Sequence, residues 1–415
     1  MCSICGYKTK KMIARKSYIE KIAPFVDKPF IKILTGLRRS GKSFLLALLR
    51  KHLQERGIDE DQIIDINFES LQYIELKKAE NLYAHIAKRI NKGRRTYIFL
   101  DEIQEVEHWE RVVNSLRVDF DTDIFLTGSN ARMLSSELAT ALAGRYVQFE
   151  VFTLSFAEFL EFRRHYLQQE FSDMSGAFAL YMETGGFPVL HTEDFEPEQI
   201  TRIIYDIYTS VLLRDVVQRY KIRNIELLER LIKFIFDNTG NVFSAKKIAD
   251  YFKSQQRRFD INTIYNYITA FESSYILHKT PRFRIRGKEI LKTQEKFYTG
   301  DVGLINGLLG KNPALAGGLL ENIVMLELKR RGYKVFVGKI RDFEVDFIGQ
   351  KNRKQIYVQV AYKLTERETL ERELRPLRII PDDYPKYILT TDTPWNGDIE
   401  GIHICRVTDF LLNKC

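Results

Sequence analysis

Phe30-Ile31-Lys32-Ile33-Leu34-Thr35-Gly36-Leu37-Arg38-Arg39-Ser40-Gly41-Lys42-Ser43-Phe44-Leu45-Leu46-Ala47-Leu48-Leu49 passes from a short apolar run, through a basic loop bounded by glycines, into a second apolar run. The first six residues read as a buried strand and the last six as the start of a helix. Between them, Gly36 to Ser43 fits the pattern GxxxxGK[ST]. Glycines in that pattern let backbone amides wrap around phosphate oxygens, and the helix that follows points its positive end at them. Gly36, Leu37, Arg38, Arg39, Ser40, Gly41, Lys42 and Ser43 are therefore expected to hold the phosphates of ATP. Lys42 supplies a mobile charge for the outer phosphates, and the Ser43 hydroxyl is the expected ligand for Mg2+.

Outward from this loop, further strands are expected at Ile63–Asn67, Thr96–Leu100 and Asp123–Thr127, with a fifth at Phe149–Phe152, and helical segments between them. Strands alternating with helices predict a parallel sheet covered on both faces, with ligands at the carboxyl ends of the strands. The polar motifs fall at those ends. Asp101 and Glu102 close an apolar strand, so Asp101 is expected in the magnesium shell and Glu102 as the base that orients or deprotonates the attacking water. Ser129 and Asn130 follow the next strand and are expected to contact the outer phosphate or the water. Arg145, just before the fifth strand, offers a guanidinium for the transferred phosphoryl group, in its own chain or in a neighbour's.

The second half changes character. Leu154 to about Leu231 is helical and is broken by Thr184-Gly185-Gly186-Phe187-Pro188, a turn. Ser244 caps one short helix, a second runs from Asn262 to Leu277, and a hairpin-like segment spans Lys279–Tyr298, which together suggest a winged helix-turn-helix. Arg257, Arg258, Arg282, Arg284, Arg286 and Lys288 interleave charge with apolar residues, as a strand lying along a phosphate backbone would, and DNA is the expected partner. The last hundred residues open with a helix from Leu319 to Arg331, followed by strands at Lys334–Val337, Glu344–Gly349 and Gln355–Ala361.

At 415 residues the chain is too long for one core, and a formal charge of +9 favours polyanionic partners. Four cysteines at the two chain ends are not the distribution of a disulfide framework and fit a reducing cytoplasm. Cys2 and Cys5 have CxxC spacing, but no second ligand pair lies near enough for zinc. No apolar run is long enough to span a membrane.

Taken together, GLRRSGKS at Gly36–Ser43, FLDEIQ at Phe99–Gln104, TGSN at Thr127–Asn130 and AGRY at Ala143–Tyr146 resemble the prokaryotic AAA-type ATPases of the archaeal-ATPase-like branch. GGFP at Gly185–Pro188 and LLRDV at Leu212–Val216 resemble the region that follows this core in the same proteins. The resemblance implies ATP hydrolysis, a cytoplasmic setting, a winged helix after a helical lid, and a tail similar to the PD-(D/E)xK nuclease fold. The expected order is a disordered extension at 1–12, an α/β P-loop AAA-type core with a parallel sheet at 13–155, a helical lid at 156–235, a winged helix-turn-helix at 236–303 and an α/β nuclease-like domain at 304–415.

That nuclease fold uses a helix glutamate, a strand aspartate and Glu-x-Lys on the next strand. Glu321 and Asp346 fall at the first two places, but Gln359 stands where the metal-binding glutamate belongs and Ala361 where the lysine belongs. Lys363, two residues on, faces the same side of the strand. An amide is a poor ligand for a hard cation, so a tail kept for binding is expected over an active nuclease. The leading expectation is an ATP-driven switch that controls binding of DNA. Its rivals are a nucleotide-gated scaffold for proteins and an ATP-regulated, metal-dependent nuclease; self-association stays open.

Overall fold

Strand β1 (Ile31–Thr35) has every residue buried, because a sheet covered on both faces leaves no strand face to water. In the computed structural model, residues 12–91, 93–130, 142, 144–254, 260–291, 295–392, 395 and 397–415 are described. The chain divides into two units, Met1–Val151 and Phe152–Cys415.

In the first unit, α1 (Lys16–Ile22) precedes β1, and α2 (Lys42–Glu55), β2 (Ile63–Asn67), α3 (Ala79–Arg89), β3 (Thr96–Asp101), α4 (Trp109–Asp119), β4 (Thr122–Gly128) and β5 (Tyr146–Glu150) follow. The five strands form a parallel sheet in the order β2-β3-β4-β1-β5. Alternation divides the core: Ile31, Ile33, Ile98, Leu100, Ile124 and Leu126 enter one apolar cluster, while Leu34, Tyr97, Phe99 and Phe125 enter the other. The Phe99 and Phe125 rings stack at 4.6 Å. Lys32 breaks the apolar run of β1, and its ammonium pairs with Asp123 on β4 and lies 4.5 Å from the centre of the Phe125 ring. Burial lowers it to about 7.

Residues 1–11, with Cys2 and Cys5, lie outside the described residues. Met12 was expected to belong to a disordered extension, but it packs half-buried against the core around α1 and α2.

The second unit begins with helices Phe156–Leu167, Met174–Thr184 and Pro197–Ser210, the last continuing into π-helical Val211–Gln218, and then helix Ile225–Asp237. β6 (Val242–Phe243), helices Ala245–Ser254 and Ile261–Ser273, β7 (Leu277–Thr280), β8 (Arg282–Arg284), β9 (Glu289–Ile290) and β10 (Glu295–Thr299) come next. Helices Val302–Leu309 and Ala316–Arg330 lead to β11 (Lys334–Ile340), β12 (Phe343–Lys351), β13 (Lys354–Ala361), helix Arg367–Arg378, β14 (Lys386–Thr390), β15 (Gly397–Ile399) and β16 (Ile402–Arg406). β6, β10 and β7 form an antiparallel sheet of their own. The larger sheet has the order β15-β16-β14-β13-β12-β11-β8-β9.

The GGFP turn has a packing reason. Gly185 (φ 71°) and Gly186 close on Asp301, whose carboxylate accepts the N–H groups of Gly186 (2.8 Å) and Gly303 (2.9 Å). A Cβ on Gly185 would come within 1.8 Å of that carboxylate, and one on Gly186 within 2.3 Å of the Leu154 carbonyl.

Two expectations are corrected. The segment read as a free basic wing is the edge of the larger sheet: β8 runs parallel to β11, and Ile285 is buried in the core with Phe336 and Ile340. Its alternation of arginine with Phe283 and Ile285 is that of a strand with one face on a core. The cysteines also take part in a disulfide after all, Cys405 to Cys415, because the short helix Val407–Leu411 turns the end of the chain back beside β16.

Candidate active site

Three strand ends converge at the carboxyl edge of the first unit's sheet. β1 ends at Thr35 and opens into the loop Gly36–Gly41, which delivers Lys42 and Ser43 to the first turn of α2. Gly36 (φ 147°) has no room for a side chain, since a Cβ would lie 2.2 Å from the Val151 carbonyl oxygen. The Lys42 ammonium lies in the curve of the loop, donating to the carbonyls of Gly36 (3.1 Å) and Leu37 (3.2 Å). Arg38 is buried and pairs with Glu69 at 2.7 Å. Arg39, exposed, holds φ 66°. Ser40 is buried, and its carbonyl accepts Nη1 of Arg15 at 3.1 Å, so the residue before α1 braces the loop.

β4 lies between β1 and β3 and joins the loop to the acids. Thr127, opposite Leu34 in the ladder, donates its hydroxyl to Asp101 Oδ1 and accepts the backbone N–H of Glu102 at 2.8 Å. Asn67, at the end of β2, donates to Asp101 Oδ2 at 3.1 Å, and the Ser43 hydroxyl also bonds to Asp101. Burial pushes Asp101 up to about 6, against those hydrogen bonds and the charge of Lys42. Glu102 is buried and adopts φ 56°, a left-handed conformation that costs a non-glycine residue about 1 kcal/mol or more. Gln104 donates its amide to Glu102 Oε2.

Ser129 and Asn130 are buried just past the end of β4, on the same edge of the sheet. Thus the loop, Ser43, Asp101, Glu102, Ser129 and Asn130 share one edge. Arg145 does not. It precedes β5, its carbonyl accepts the N–H of Ile31 at the opposite end of β1, and its exposed guanidinium bonds to Asn114 at 3.1 Å. The length of a five-residue strand, roughly 16 Å, lies between it and its own loop, so action within its own chain is withdrawn. Sequence reasoning also missed Arg15, Asn67, Gln104 and Thr127. Thr127 and Gln104 carried a signal, as the first residue of TGSN and the last of FLDEIQ.

In the second unit, Arg257 and Arg258 lie outside the described residues. Arg282 is withdrawn as a DNA contact, since it is buried and reaches toward Glu344 at 4.0 Å. Arg284 pairs with Glu289, while Arg286 and Lys288 are exposed. Glu321 and Asp346 do come together. Gln359 stands behind them, accepting the Asp346 N–H (3.2 Å) and donating to Glu373 (2.7 Å). An amide can do both, which accounts for its presence where a glutamate was expected. Lys363 is exposed and has no ion pair among the described residues.

A parallel sheet with a phosphate loop after β1 and paired acids at the end of β3, two strands away across β4, defines an AAA-type α/β core, and residues 28–160 match the AAA domain family. Residues 175–315 match a domain of unknown function, DUF8612. The chain belongs to the same family as an uncharacterized protein of Haemophilus influenzae, 39% identical over 97% of this chain and 100% of that one. An uncharacterized protein of Methanocaldococcus jannaschii is 34% identical, covering 83% of this chain and 77% of its own length. Among solved structures, AMPPCP-bound DnaA from Aquifex aeolicus is similar at 14% identity, with 65% of this chain and 92% of that chain covered and a TM-score of 0.32. The Aeropyrum pernix ORC1 protein in complex with DNA is similar at 12%, with 74% and 94% covered and a TM-score of 0.29. At such scores no property passes from them to this chain. Among the described residues no helix is long and apolar enough to cross a membrane.

Proposed function

We propose that the chain binds ATP with Mg2+ on the loop Gly36–Ser43, hydrolyses it through Glu102, and uses nucleotide state to set how its second unit holds a partner, for which duplex DNA is the best fit. The observation that carries the hydrolytic half is Thr127, whose one hydroxyl bonds to both Asp101 and the Glu102 backbone and so holds the two acids as a pair. Acids that merely decorate a strand end need no such brace.

The donor set suits a hard cation, since the Ser43 hydroxyl and the Asp101 carboxylate already touch. Mg2+ held there would neutralise charge on the phosphate oxygens. Lys42 supplies positive charge to the outer phosphates. Glu102 orients the attacking water and accepts its proton on the carboxylate, and the Gln104 amide fixes that carboxylate's direction. Ser129 and Asn130 contact the outer phosphate from the same edge. Arg145, at the opposite end of β1 from its own loop, is left to act on the site of a neighbouring copy.

Support for DNA comes from the net charge of +9 and from the surface of the second unit. Helices Ala245–Ser254 and Ile261–Ser273, with the β7/β10 ribbon, are read as a winged helix-turn-helix. The second helix exposes Asn262, Tyr265 and Asn266 on one side, and Arg286 and Lys288 are exposed nearby in sequence. A cytoplasmic setting is part of the proposal. Steady-state phosphate release tests it: the wild-type rate should respond to duplex DNA, and Glu102→Gln should lower it at least about a hundredfold while ATP still binds. A rate untouched by that substitution sinks the enzyme and leaves a nucleotide-gated scaffold.

A further inference from the structure

Glu321, Glu344 and Asp346 converge on one point in the second unit, and Lys296 occupies it. The ammonium lies 3.0 Å from Glu321 Oε2, 2.9 Å from Glu344 Oε1 and 3.5 Å from Asp346 Oδ1. Only 4% of its side chain is exposed. Further partners come from the chain: Tyr298 donates its hydroxyl to the same Glu321 Oε2 (2.8 Å), the Val360 N–H donates to Asp346 Oδ2 (2.9 Å), and Arg282 approaches Glu344 Oε2.

The tail's likeness to a metal-dependent nuclease implies a divalent cation among these carboxylates. The residues do not fit one. An ion bonded to oxygens at about 2.0–2.6 Å would have to share its place with a buried ammonium, and two cations in contact repel. Gln359, at the position of the missing ligand, is turned to Glu373 and the Asp346 backbone.

We propose that Lys296 is a built-in cation that takes the place of the divalent metal, so that the carboxylate cluster is neutralised from within the chain and the tail works as a metal-independent scaffold. Lys296 comes from β10 of the small sheet, Glu344 and Asp346 from β12 of the large one, and Glu321 from helix Ala316–Arg330. The ammonium therefore also fastens the winged-helix segment to the tail. Burial works against its charge, but the three carboxylates outweigh that and hold the ammonium protonated well above the usual lysine range. Arg282, on β8 of the larger sheet, brings a second cation to within 4.0 Å of Glu344 in the same cluster.

The test is Mn2+ binding to the nucleotide-free full chain, followed by electron paramagnetic resonance, in an Asp101→Asn background that silences the ATP site. Adding Asp346→Asn should leave binding unchanged. Adding Lys296→Ala instead should create a Mn2+ site at least about tenfold tighter, lost again when Asp346→Asn is combined with it. A background chain whose Mn2+ affinity drops with Asp346→Asn overturns the proposal, as does a folded Lys296→Ala chain that gains nothing. The first comparison decides even if Lys296→Ala does not fold, and neither depends on whether the chain hydrolyses ATP.

Discussion

Asp101 and Glu102 in the first unit, and Glu321, Glu344 and Asp346 in the second, are both acidic groups drawn wholly or partly out of water, yet their neighbours differ in kind. Asp101 is met by a threonine hydroxyl, a serine hydroxyl and an asparagine amide, and Glu102 by a glutamine amide. These are mainly neutral donors, which orient a carboxylate without neutralising it. The second cluster is met by ammonium and guanidinium groups of the chain itself. A carboxylate held by neutral groups keeps its negative charge for a cation from solution; one already paired has none to give. The residue types alone do not separate a metal site from an internal ion pair.

The sharpest way to break this comparison is to remove the internal cation. Lys296→Met should destabilise the folded chain by about 3–5 kcal/mol, read by chemical denaturation, because it leaves the buried Asp346 and the partly buried Glu321 and Glu344 without their cation. A loss near zero would mean that the cluster does not depend on its lysine. On the other side, Thr127→Val takes the brace from Asp101 and Glu102. The expected result is a fall of about tenfold in kcat with little change in KM for ATP, since positioning and not binding is lost. A change confined to KM would assign Thr127 to nucleotide binding. The smallest effect concerns the hairpin. Arg286→Ala should weaken duplex binding a few-fold and reduce its salt slope by about one, while Arg282→Ala should leave the slope unchanged. Equal slopes for the two variants would remove the distinction drawn between a paired and an exposed arginine.

Much of the first unit was legible because its signals are local. Strands with both faces buried read as unbroken apolar runs, and Ile63–Asn67 is found at its expected bounds. The loop needs eight consecutive residues and a following helix, all adjacent in sequence. Arg145 misled because closeness to a strand in sequence does not say which end of the sheet it joins; only pairing with Ile31 does. In the second unit the signals were long-range. Lys296 sits in a hairpin 25 residues before Glu321 and 50 before Asp346, so nothing near it announces its partners. The interleaved arginines of β8 were equally consistent with a strand on DNA and a strand on a core, and burial of Ile285 decides between them.

The Gly185–Asp301 contact turns a short motif into a paired one. Because the Asp301 carboxylate fills the space that a side chain at position 185 would need, and receives the N–H of a residue 115 positions upstream, neither end makes sense without the other. Anyone sorting related sequences can use that: a chain that keeps the glycine pair but has lost the distant aspartate has rebuilt this corner, and a search that scores the two together will separate true relatives from chains sharing only a common turn.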